Sequence, residues 1–375
     1  MAAEAAAPAL RLAARAWARG PASPPASWRR GLILGHTHIG DLLYRTASLP
    51  PLRRALPACE WDILAAPQSA AVLRGNPHLA AALPVNVGDA GWDLAPGAFR
   101  QLRDARYDVV LCTNNESFYP DFALAAALGV PTRVGFPYKG LSGLINVGVP
   151  IPYPAPWAAY VRAMVAAVCG LEPTWSLRPQ IFPSAADEAA AERVWGEVVA
   201  AADRPVIATA ITARQAAAAW PAGHWADSFR PLAADEGAVI VLCGAPSERP
   251  LLERAAATAG FPVRIVAGEL GLTGVAALLR RCALFVGPDS GLRHVANAAR
   301  TPVLFCRNPS SHPVETGRYC DTEVDLLPPT LSAGSATLAD ALRAYLSPAA
   351  VTAAVRRALG GGVTALTGAA PESRA

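Results

Sequence analysis

Short apolar runs alternate with longer helical segments along this chain, and the alternation restarts near its middle. In the first half, the strand candidates are Gly31–Gly35, Trp61–Ala65, Val109–Cys112 and Thr132–Gly135. The helix candidates between them are Asp41–Arg54, Pro67–Arg74, Phe99–Arg106 and Phe118–Leu128. In the second half, the strand candidates are Val206–Ala210, Val239–Cys243, Val263–Ala267, Leu284–Gly287 and Val303–Cys306. This pattern is typical of parallel sheets covered on both faces, so it predicts an α/β protein with two doubly wound domains.

The domain boundary is predicted between Gly170 and Pro183, where a proline-containing segment interrupts the helical pattern before Ser184. We therefore expect an N-terminal domain over residues 30–175 and a C-terminal domain over residues 176–346. Residues 1–29 form a basic Ala/Arg/Pro-rich extension, which is either poorly ordered or an arm that lies on anionic lipid headgroups. Residues 347–375 are predicted to be a C-terminal tail.

Composition narrows the functional class. The chain has 375 residues with a net charge of +4, which is too mild to indicate a nucleic-acid-binding groove. Its seven cysteines are scattered and never spaced as Cys-x-x-Cys, which is typical of reduced core residues and a cytoplasmic protein. The longest uncharged stretch, Leu141–Val161, contains four prolines, so no membrane-spanning helix is expected.

The segment Phe285–Pro302 reads as a strand, a tight turn, a helix N-terminus and the beginning of the next strand. Its turn residues are followed by Ser290 and Gly291, whose backbone N–H groups open a helix that runs to about Ala299. A helix N-terminus of this kind suits a diphosphate, and Asp289 can accept hydrogen bonds from sugar hydroxyls. The alternative is that the turn only caps the helix.

A second segment, Leu32–Thr46, reads as a first strand, a loop that ends in Gly40, and a helix that begins at Asp41. Asp41 is either a functional carboxylate or an ordinary helix cap. His36 and His38 lie in the loop without a carboxylate cluster, so polar loop residues or substrate contacts are favoured over a metal pair.

The spacing Asp-Ser-Gly-x-x-His-x-Ala-x-Ala-x-x-Thr-Pro over residues 289–302 resembles the donor-binding signature of glycosyltransferase family 9, the ADP-heptose:lipopolysaccharide heptosyltransferases. Gly40 and Asp41 resemble the family's other signature. The resemblance covers about residues 30–346. It implies a GT-B fold, in which two Rossmann-like domains face a central cleft, the N-terminal one binding the acceptor and the C-terminal one the nucleotide-sugar donor.

The resemblance also implies roles for individual residues. Asp41 corresponds to the catalytic base, and the acceptor-side loop consists of His36, Thr37, His38 and Gly40. On the donor side, Asp289 orients the sugar, Ser290 and Gly291 give amides to the diphosphate, and His294 supports the turn. Glu248 is either a hydrogen-bond partner of the ribose or base or a first-turn acid favoured by its helix dipole.

The chain departs from the family at the phosphate-binding lysine, whose place is taken by Ala218. Arg214 in the same loop is a candidate substitute, because a guanidinium binds phosphate bidentately. Arg293 stands where the family usually has methionine, and we expect it to add positive charge at the donor site. The Asn308–His312 loop and a helix near Thr337–Leu346 correspond to further parts of the family's donor domain.

The expected activity is inverting transfer of a sugar, with heptose from ADP-heptose favoured, to the hydroxyl of a glycan, lipid-linked or other acceptor in lipopolysaccharide or related glycoconjugate synthesis. No Asp-x-Asp pair occurs in the chain, so no metal or other cofactor is expected. The partners would be substrates, with a peripheral contact on the cytoplasmic face of the inner membrane and no nucleic acid. The alternatives are a nucleotide-sugar 2-epimerase of the same fold and a catalytically weak nucleotide-sugar-binding homologue.

Overall fold

A computed structural model describes residues 22–35, 38–88, 91–114, 119–137, 142–198, 204–213, 219–306, 314–326 and 347–361. The chain divides into two compact units, Met1–Pro179 and Gln180–Ala375. The division falls inside the segment between Gly170 and Pro183 that interrupts the helical pattern of the sequence. Besides the strands and α-helices, four short 3-10 turns are described: Pro25–Ser27, Ala71–Leu73, Ser142–Leu144 and Pro246–Glu248.

The N-terminal unit is built on a six-stranded parallel sheet. Its strands are β1 (Arg30–Leu34), β2 (Glu60–Ala65), β3 (Ala81–Pro84), β6 (Val109–Cys112), β7 (Thr132–Gly135) and β8 (Val147–Gly148). They lie in the order β3-β2-β1-β6-β7-β8, and every adjacent pair is parallel. A small antiparallel hairpin is formed by β4 (Asn86–Gly88) and β5 (Gly91–Asp93). The order is that of a Rossmann-like doubly wound sheet.

The described helices of this unit are α1 (Ile39–Thr46), α2 (Leu49–Ala55), α3 (Pro67–Ala70), α4 (Pro96–Asp104), α5 (Tyr119–Ala127) and α6 (Trp157–Cys169). The sequence predicted one helix over residues 41–54, which is wrong because α1 ends at Thr46 and α2 begins at Leu49. Pro50 and Pro51 explain the break, since neither has an N–H to donate to a carbonyl in the last turn of α1.

The C-terminal unit repeats the same topology. Its strands are β9 (Val206–Thr209), β10 (Val239–Gly244), β11 (Val263–Ala267), β12 (Leu284–Pro288), β13 (Val303–Cys306) and β14 (Glu323–Leu326). They lie in the order β11-β10-β9-β12-β13-β14, again with every adjacent pair parallel. The prediction of two doubly wound domains is therefore confirmed.

The described helices of the C-terminal unit are α7 (Ala185–Val198), α8 (Ala222–Asp235), α9 (Arg249–Ala257), α10 (Leu272–Leu279), α11 (Gly291–Ala299) and α12 (Pro348–Gly361). The sequence assigned residues 347–375 to a tail, and α12 corrects this for residues 348–361. Val351 and Val355 are fully buried in the core of the unit, and Thr352 Oγ1 donates to the Ser228 carbonyl on α8. Burial of this apolar face holds the segment in a helix despite its position near the end of the chain.

Each sheet reverses its strand order beside its first strand, between β1 and β6 in one unit and between β9 and β12 in the other. In open parallel sheets, ligands bind outside the carboxyl ends of the strands at this switch point. The residues that follow β1, β6, β9 and β12 are therefore the places where a site is expected. Among the described residues, no helix is long and apolar enough to cross a membrane.

Candidate functional site

The turn after β12 connects the switch point of the C-terminal unit to α11. Asp289 N donates to the Cys306 carbonyl over 3.1 Å, and Ser290 is extended, with φ −143° and ψ 172°, before α11 begins at Gly291. The Ser290 side chain makes no capping hydrogen bond, and its buried Oγ has no hydrogen-bond partner among the described residues. The cap side chain thus does not occupy the helix N-terminus, whose first amides are suited to an anion.

Asp289 is held in place by the helix that follows it. Its Oδ1 accepts a hydrogen bond of 2.8 Å from Arg293 Nη1, one helical turn later. The Asp289 side chain is 16% exposed, whereas that of Arg293 is 1% exposed. The guanidinium therefore fixes the carboxylate from beneath and leaves part of its surface accessible to a ligand.

The partners of Arg293 are all protein acceptors. Its Nε donates to Glu323 Oε2 over 2.9 Å, and its other nitrogens reach the carbonyls of Thr316 and Gly317. Its Cζ lies 3.4 Å from the centroid of the Phe305 ring. This burial differs from the sequence expectation, in which Arg293 supplied positive charge directly to the donor. A guanidinium that is enclosed in this way acts on the surface through Asp289.

Glu323 is the buried carboxylate that balances the charge of Arg293. Its Oε1 accepts from the backbone N–H groups of Tyr319 and Cys320, and its Oε2 accepts from Arg293 and from Asn297 Nδ2. Burial alone would raise the pKa of Glu323, but the neighbouring guanidinium and these hydrogen bonds hold it below its ordinary value. For Arg293, burial would lower the pKa, and Glu323 and Asp289 keep it above its usual value. Both groups are therefore charged at neutral pH.

His294 lies on the first turns of α11 and contacts Tyr319 rather than standing free. Its Nδ1 is 2.6 Å from the Tyr319 hydroxyl, and the two rings are stacked with centroids 5.5 Å apart. Asn297 Nδ2 also donates to that hydroxyl over 3.3 Å. Burial raises the pKa of Tyr319 well above its usual value, so the phenol stays neutral. These contacts support α11 from the side of the loop that precedes β14.

Glu248 follows β10 in the same unit. Its Oε2 accepts from Ala245 N over 2.6 Å, within the turn that precedes α9. A carboxylate at this position satisfies a free amide near a helix N-terminus. The structure thus gives Glu248 a local capping contact, and a contact with a ribose or base stays a prediction.

In the N-terminal unit, the predicted base and the end of the acceptor-side loop lie on α1, directly after the switch-point strand β1. His38 is the extended residue before the helix, Gly40 is buried, and Asp41 is a partly exposed acid in the first helical turn. The Asp41 backbone carbonyl accepts a hydrogen bond from Arg45 Nη1, one turn later in the same helix.

A buried polar network lies next to this helix, at the end of β6. Arg45 Nη2 donates to Asn114 Oδ1 over 2.8 Å, and Asn114 Nδ2 donates to Asp121 Oδ2 over 2.5 Å. Trp92 Nε1 donates to the other carboxylate oxygen over 2.7 Å. Burial raises the pKa of Asp121 to about 7, although the hydrogen bonds from Trp92 and Asn114 and the charge of Arg45 lower it.

Several predicted site residues lie outside the described residues: His36, Thr37, Arg214, Ala218, the loop 308–312 and the helix expected over 337–346. Within the described part of the chain, no group of three or more His, Cys, Asp or Glu side chains is placed to hold a metal ion.

The sequence reasoning did not identify Tyr319 and Glu323 in one unit, or Arg45, Asn114 and Asp121 in the other. Asn114 could have been found, because it follows an apolar strand at the same sheet edge as Asp41. Glu323 has no such signal, since its partner Arg293 is thirty residues away in the chain.

Comparison with known proteins agrees with this geometry. A model of glycosyltransferase family 9 (heptosyltransferase) matches residues 97–326. Lipopolysaccharide heptosyltransferase 2 of Escherichia coli strain K12 is 26% identical over 297 residues, which cover 75% of this chain and 83% of the relative. The solved structure of the E. coli ADP-heptose lipopolysaccharide heptosyltransferase II superposes with a TM-score of 0.68 at 22% identity, covering 88% of this chain and 98% of that one.

A second solved structure, an E. coli heptosyltransferase with ADP-2-deoxy-2-fluoro heptose, superposes with a TM-score of 0.65 at 20% identity and covers 87% of this chain and 99% of that one. These likenesses show the GT-B fold. Because the family model spans more than half of the chain and includes the turn after β12, the chain belongs to glycosyltransferase family 9 and is a glycosyltransferase.

Proposed function

We propose that this protein transfers heptose from ADP-heptose to a hydroxyl of lipopolysaccharide or a related glycoconjugate, with inversion at the anomeric carbon and without a metal ion. The names of its relatives support the sugar and the pathway, since they are lipopolysaccharide heptosyltransferases. An ADP-linked heptose analogue in a solved heptosyltransferase of the same fold supports the donor.

The observation that carries the proposal is the turn after β12. The side chain of its extended residue, Ser290, makes no capping hydrogen bond, and the helix begins at Gly291 beside the switch-point strand. In the proposed complex, the first amides of α11 bind the diphosphate, and the partial positive charge of the helix N-terminus stabilises it as a leaving group. Asp289, fixed by Arg293, accepts hydrogen bonds from sugar hydroxyls.

Asp41 is the proposed base. It takes the proton from the acceptor hydroxyl while that oxygen forms a bond to the anomeric carbon, and the bond from this carbon to the ADP oxygen breaks. A single displacement of this kind inverts the anomeric configuration. The N-terminal unit is accordingly proposed to bind the acceptor and the C-terminal unit the donor.

Metal independence rests on the absence of an Asp-x-Asp pair from the sequence and on the helix N-terminus that can replace a metal's charge. Arg214 is proposed to complete the phosphate site in place of the family lysine. Turnover that is unchanged after EDTA treatment supports metal independence. Loss of turnover with EDTA and recovery with added Mg²⁺ would overturn it.

The donor site is tested by removing one amide. Gly291→Pro deletes the N–H of the first helical residue at a position where proline fits a helix and follows an extended residue. We expect weaker binding of ADP-heptose in calorimetry with little change in melting temperature. Ala185→Pro, at the exposed first residue of α7 in the same unit, is the matched control and should bind the donor normally. Equal donor affinity in both variants would contradict the site.

The identity of the donor is tested with the unchanged protein. A ligand that binds only the folded state at 100 times its dissociation constant stabilises it by about 2.7 kcal/mol. ADP-heptose is expected to raise the melting temperature more than UDP-N-acetylglucosamine does. Product analysis by NMR should then show an inverted glycoside on the acceptor, whereas isomerised sugar without an acceptor would indicate the epimerase.

The base is tested by Asp41→Asn, with Asp104→Asn at an exposed position of the same unit as control. General base catalysis contributes roughly 10²- to 10⁴-fold, so turnover should fall by about that factor. Donor affinity should stay unchanged. Normal turnover in Asp41→Asn would remove the base assignment.

A further inference from the structure

Arg45 is a buried arginine that ties α1 to the carboxyl ends of the two central strands. Its Nε donates to Thr113 Oγ1 over 2.7 Å, and the same hydroxyl donates to the Leu34 carbonyl at the end of β1. Its Nη2 donates to the Thr113 carbonyl over 3.1 Å, directly after β6. The fork of the guanidinium therefore spans the switch point of the N-terminal unit and fixes the helix relative to the sheet.

The same arginine is anchored from behind by a second layer. Its Nη2 contacts Asn114 Oδ1, and Asn114 in turn donates to the buried carboxylate of Asp121. Trp92 completes that carboxylate's partners. Both oxygens of Asp121 receive hydrogen bonds from N–H donors, and this buried network holds the Asn114 side chain against Arg45.

On its other side, the guanidinium contacts the helix turn that carries Asp41. Arg45 Nη1 donates to the Asp41 backbone carbonyl, and Arg45 Cζ lies 5.1 Å from the centroid of the Tyr44 ring. Tyr44 is 3% exposed. Burial raises the pKa of the Tyr44 hydroxyl, so the phenol stays neutral.

We propose that Arg45 is a positioning residue for the reaction: it fixes the first turn of α1, which carries Asp41, to the carboxyl ends of β1 and β6. This proposal rests on the proposed role of Asp41 as the base. A buried arginine and carboxylate are a poor source of stability, because apolar residues of similar volume are often at least as stabilising. The contacts of Arg45 join the backbone of one residue, Asp41, to the switch point of the sheet, which points to a role in its placement.

The test is Arg45→Lys, compared with Arg133→Lys. Arg133 is also a buried arginine of the N-terminal unit, and it donates to the carbonyls of Leu144 and Val130. Lysine keeps the charge but loses the planar fork, so both variants should be destabilised. Only Arg45→Lys is expected to lose kcat at least tenfold, with KM for both substrates and donor affinity unchanged. Equal kcat in the two variants, or a change in Arg45→Lys that is confined to KM, contradicts the positioning role.

The outcome for Asp41→Asn separates the two proposals. If Asp41→Asn is inactive while Arg45→Lys turns over normally, the base stands and the positioning role is overturned. If Asp41→Asn turns over normally, the base assignment fails and the positioning role fails with it. An inactive Asp41→Asn together with a kcat defect in Arg45→Lys that Arg133→Lys does not show supports both.

Discussion

Replacing Glu323 by glutamine tests whether the buried ion pair holds the proposed donor turn, Asp289 and Ser290 between β12 and α11, in place. Glu323 and Arg293 are 0% and 1% exposed, and their charged atoms are 2.9 Å apart. Four N–H donors point at the two oxygens of Glu323, two at each. A glutamine has an amide NH₂ in place of one oxygen, so in either orientation two donors lose their acceptor.

The expected cost follows from these contacts. Each buried donor that is left without a partner costs about 1–3 kcal/mol. Breaking a buried ion pair by removing one partner costs about 3–5 kcal/mol, because the other charge remains buried. Among the described residues, Asp289 remains as the one carboxylate in contact with Arg293, and it is partly exposed. We therefore expect Glu323→Gln to destabilise the C-terminal unit by about 3–5 kcal/mol.

Hydrogen–deuterium exchange measures this loss in the affected region. Every 1.4 kcal/mol corresponds to a tenfold change, so amides of α11 that exchange through opening of this region should exchange about 100- to 4,000-fold faster. Amides of β1 in the other unit provide an internal reference. The control is Glu188→Gln, whose carboxylate pairs with Arg280 at 2.8 Å with both side chains about 40% exposed, and it should cost less than about 1 kcal/mol.

An equal effect of the two glutamine variants on the exchange of α11 amides would refute the reasoning about the buried ion pair.

A second check uses the pH dependence of stability. Because the folded-state pKa of Glu323 is lowered, its contribution to stability is present above the unfolded pKa and is lost as the pH falls through the folded one. The difference between the wild type and Glu323→Gln should therefore shrink in strong acid, and a constant difference would argue against a charge effect.

Two further predictions concern the N-terminal unit. The pKa of Asp121 is raised to about 7 from an unfolded value of about 3.9, so the folded state binds this proton more tightly and stability should fall as the pH rises between these values. Urea unfolding at pH 5, 6 and 7 should show the free energy of unfolding falling by up to about 1.4 kcal/mol per pH unit. An Asp121→Asn variant that keeps this slope would exclude Asp121 as its origin. A Cβ at Gly35 would lie 2.3 Å from the Leu64 carbonyl oxygen, so Gly35→Ala should destabilise the N-terminal unit by about 1–3 kcal/mol. A Cβ at Gly97 in helix α4 would meet nothing within 4 Å, so Gly97→Ala should stabilise the unit by about 0.5–1 kcal/mol. Equal melting temperatures for the two variants would contradict this.

Central strands were predictable from the sequence, and so was the edge strand β11 (Val263–Ala267), but the other three edge strands of the two six-stranded sheets were not. Val109–Cys112 and Val303–Cys306 have the predicted bounds, because strands covered on both faces are continuous apolar runs. The edge strands β3, β8 and β14 were missed. They are short or contain polar residues, since one side of an edge strand has no neighbour in the sheet and its pattern carries little apolar signal.

The candidate site was predictable where its residues are neighbours in sequence. The turn before α11 could be identified because turn residues, a helix start and a buried strand follow one another in the chain. The direction of the Arg293 side chain could not, because an arginine near a presumed phosphate site can lie on the surface or beneath it. Only the contacts of Arg293 with Glu323 at the start of β14 and with the Phe305 ring on β13 decide that it is buried.

The amino-acid sequence by itself determined the two doubly wound units, the place of the donor turn and the place of Asp41, since these depend on short-range patterns of apolar, turn and helix-starting residues. The tertiary structure alone decided which side chains act together. It paired Arg293 with Glu323 and connected Asp121 through Asn114 to Arg45. The physical reason is that a buried charge needs a partner, and the partner is chosen by proximity in the folded chain, which local sequence patterns do not encode.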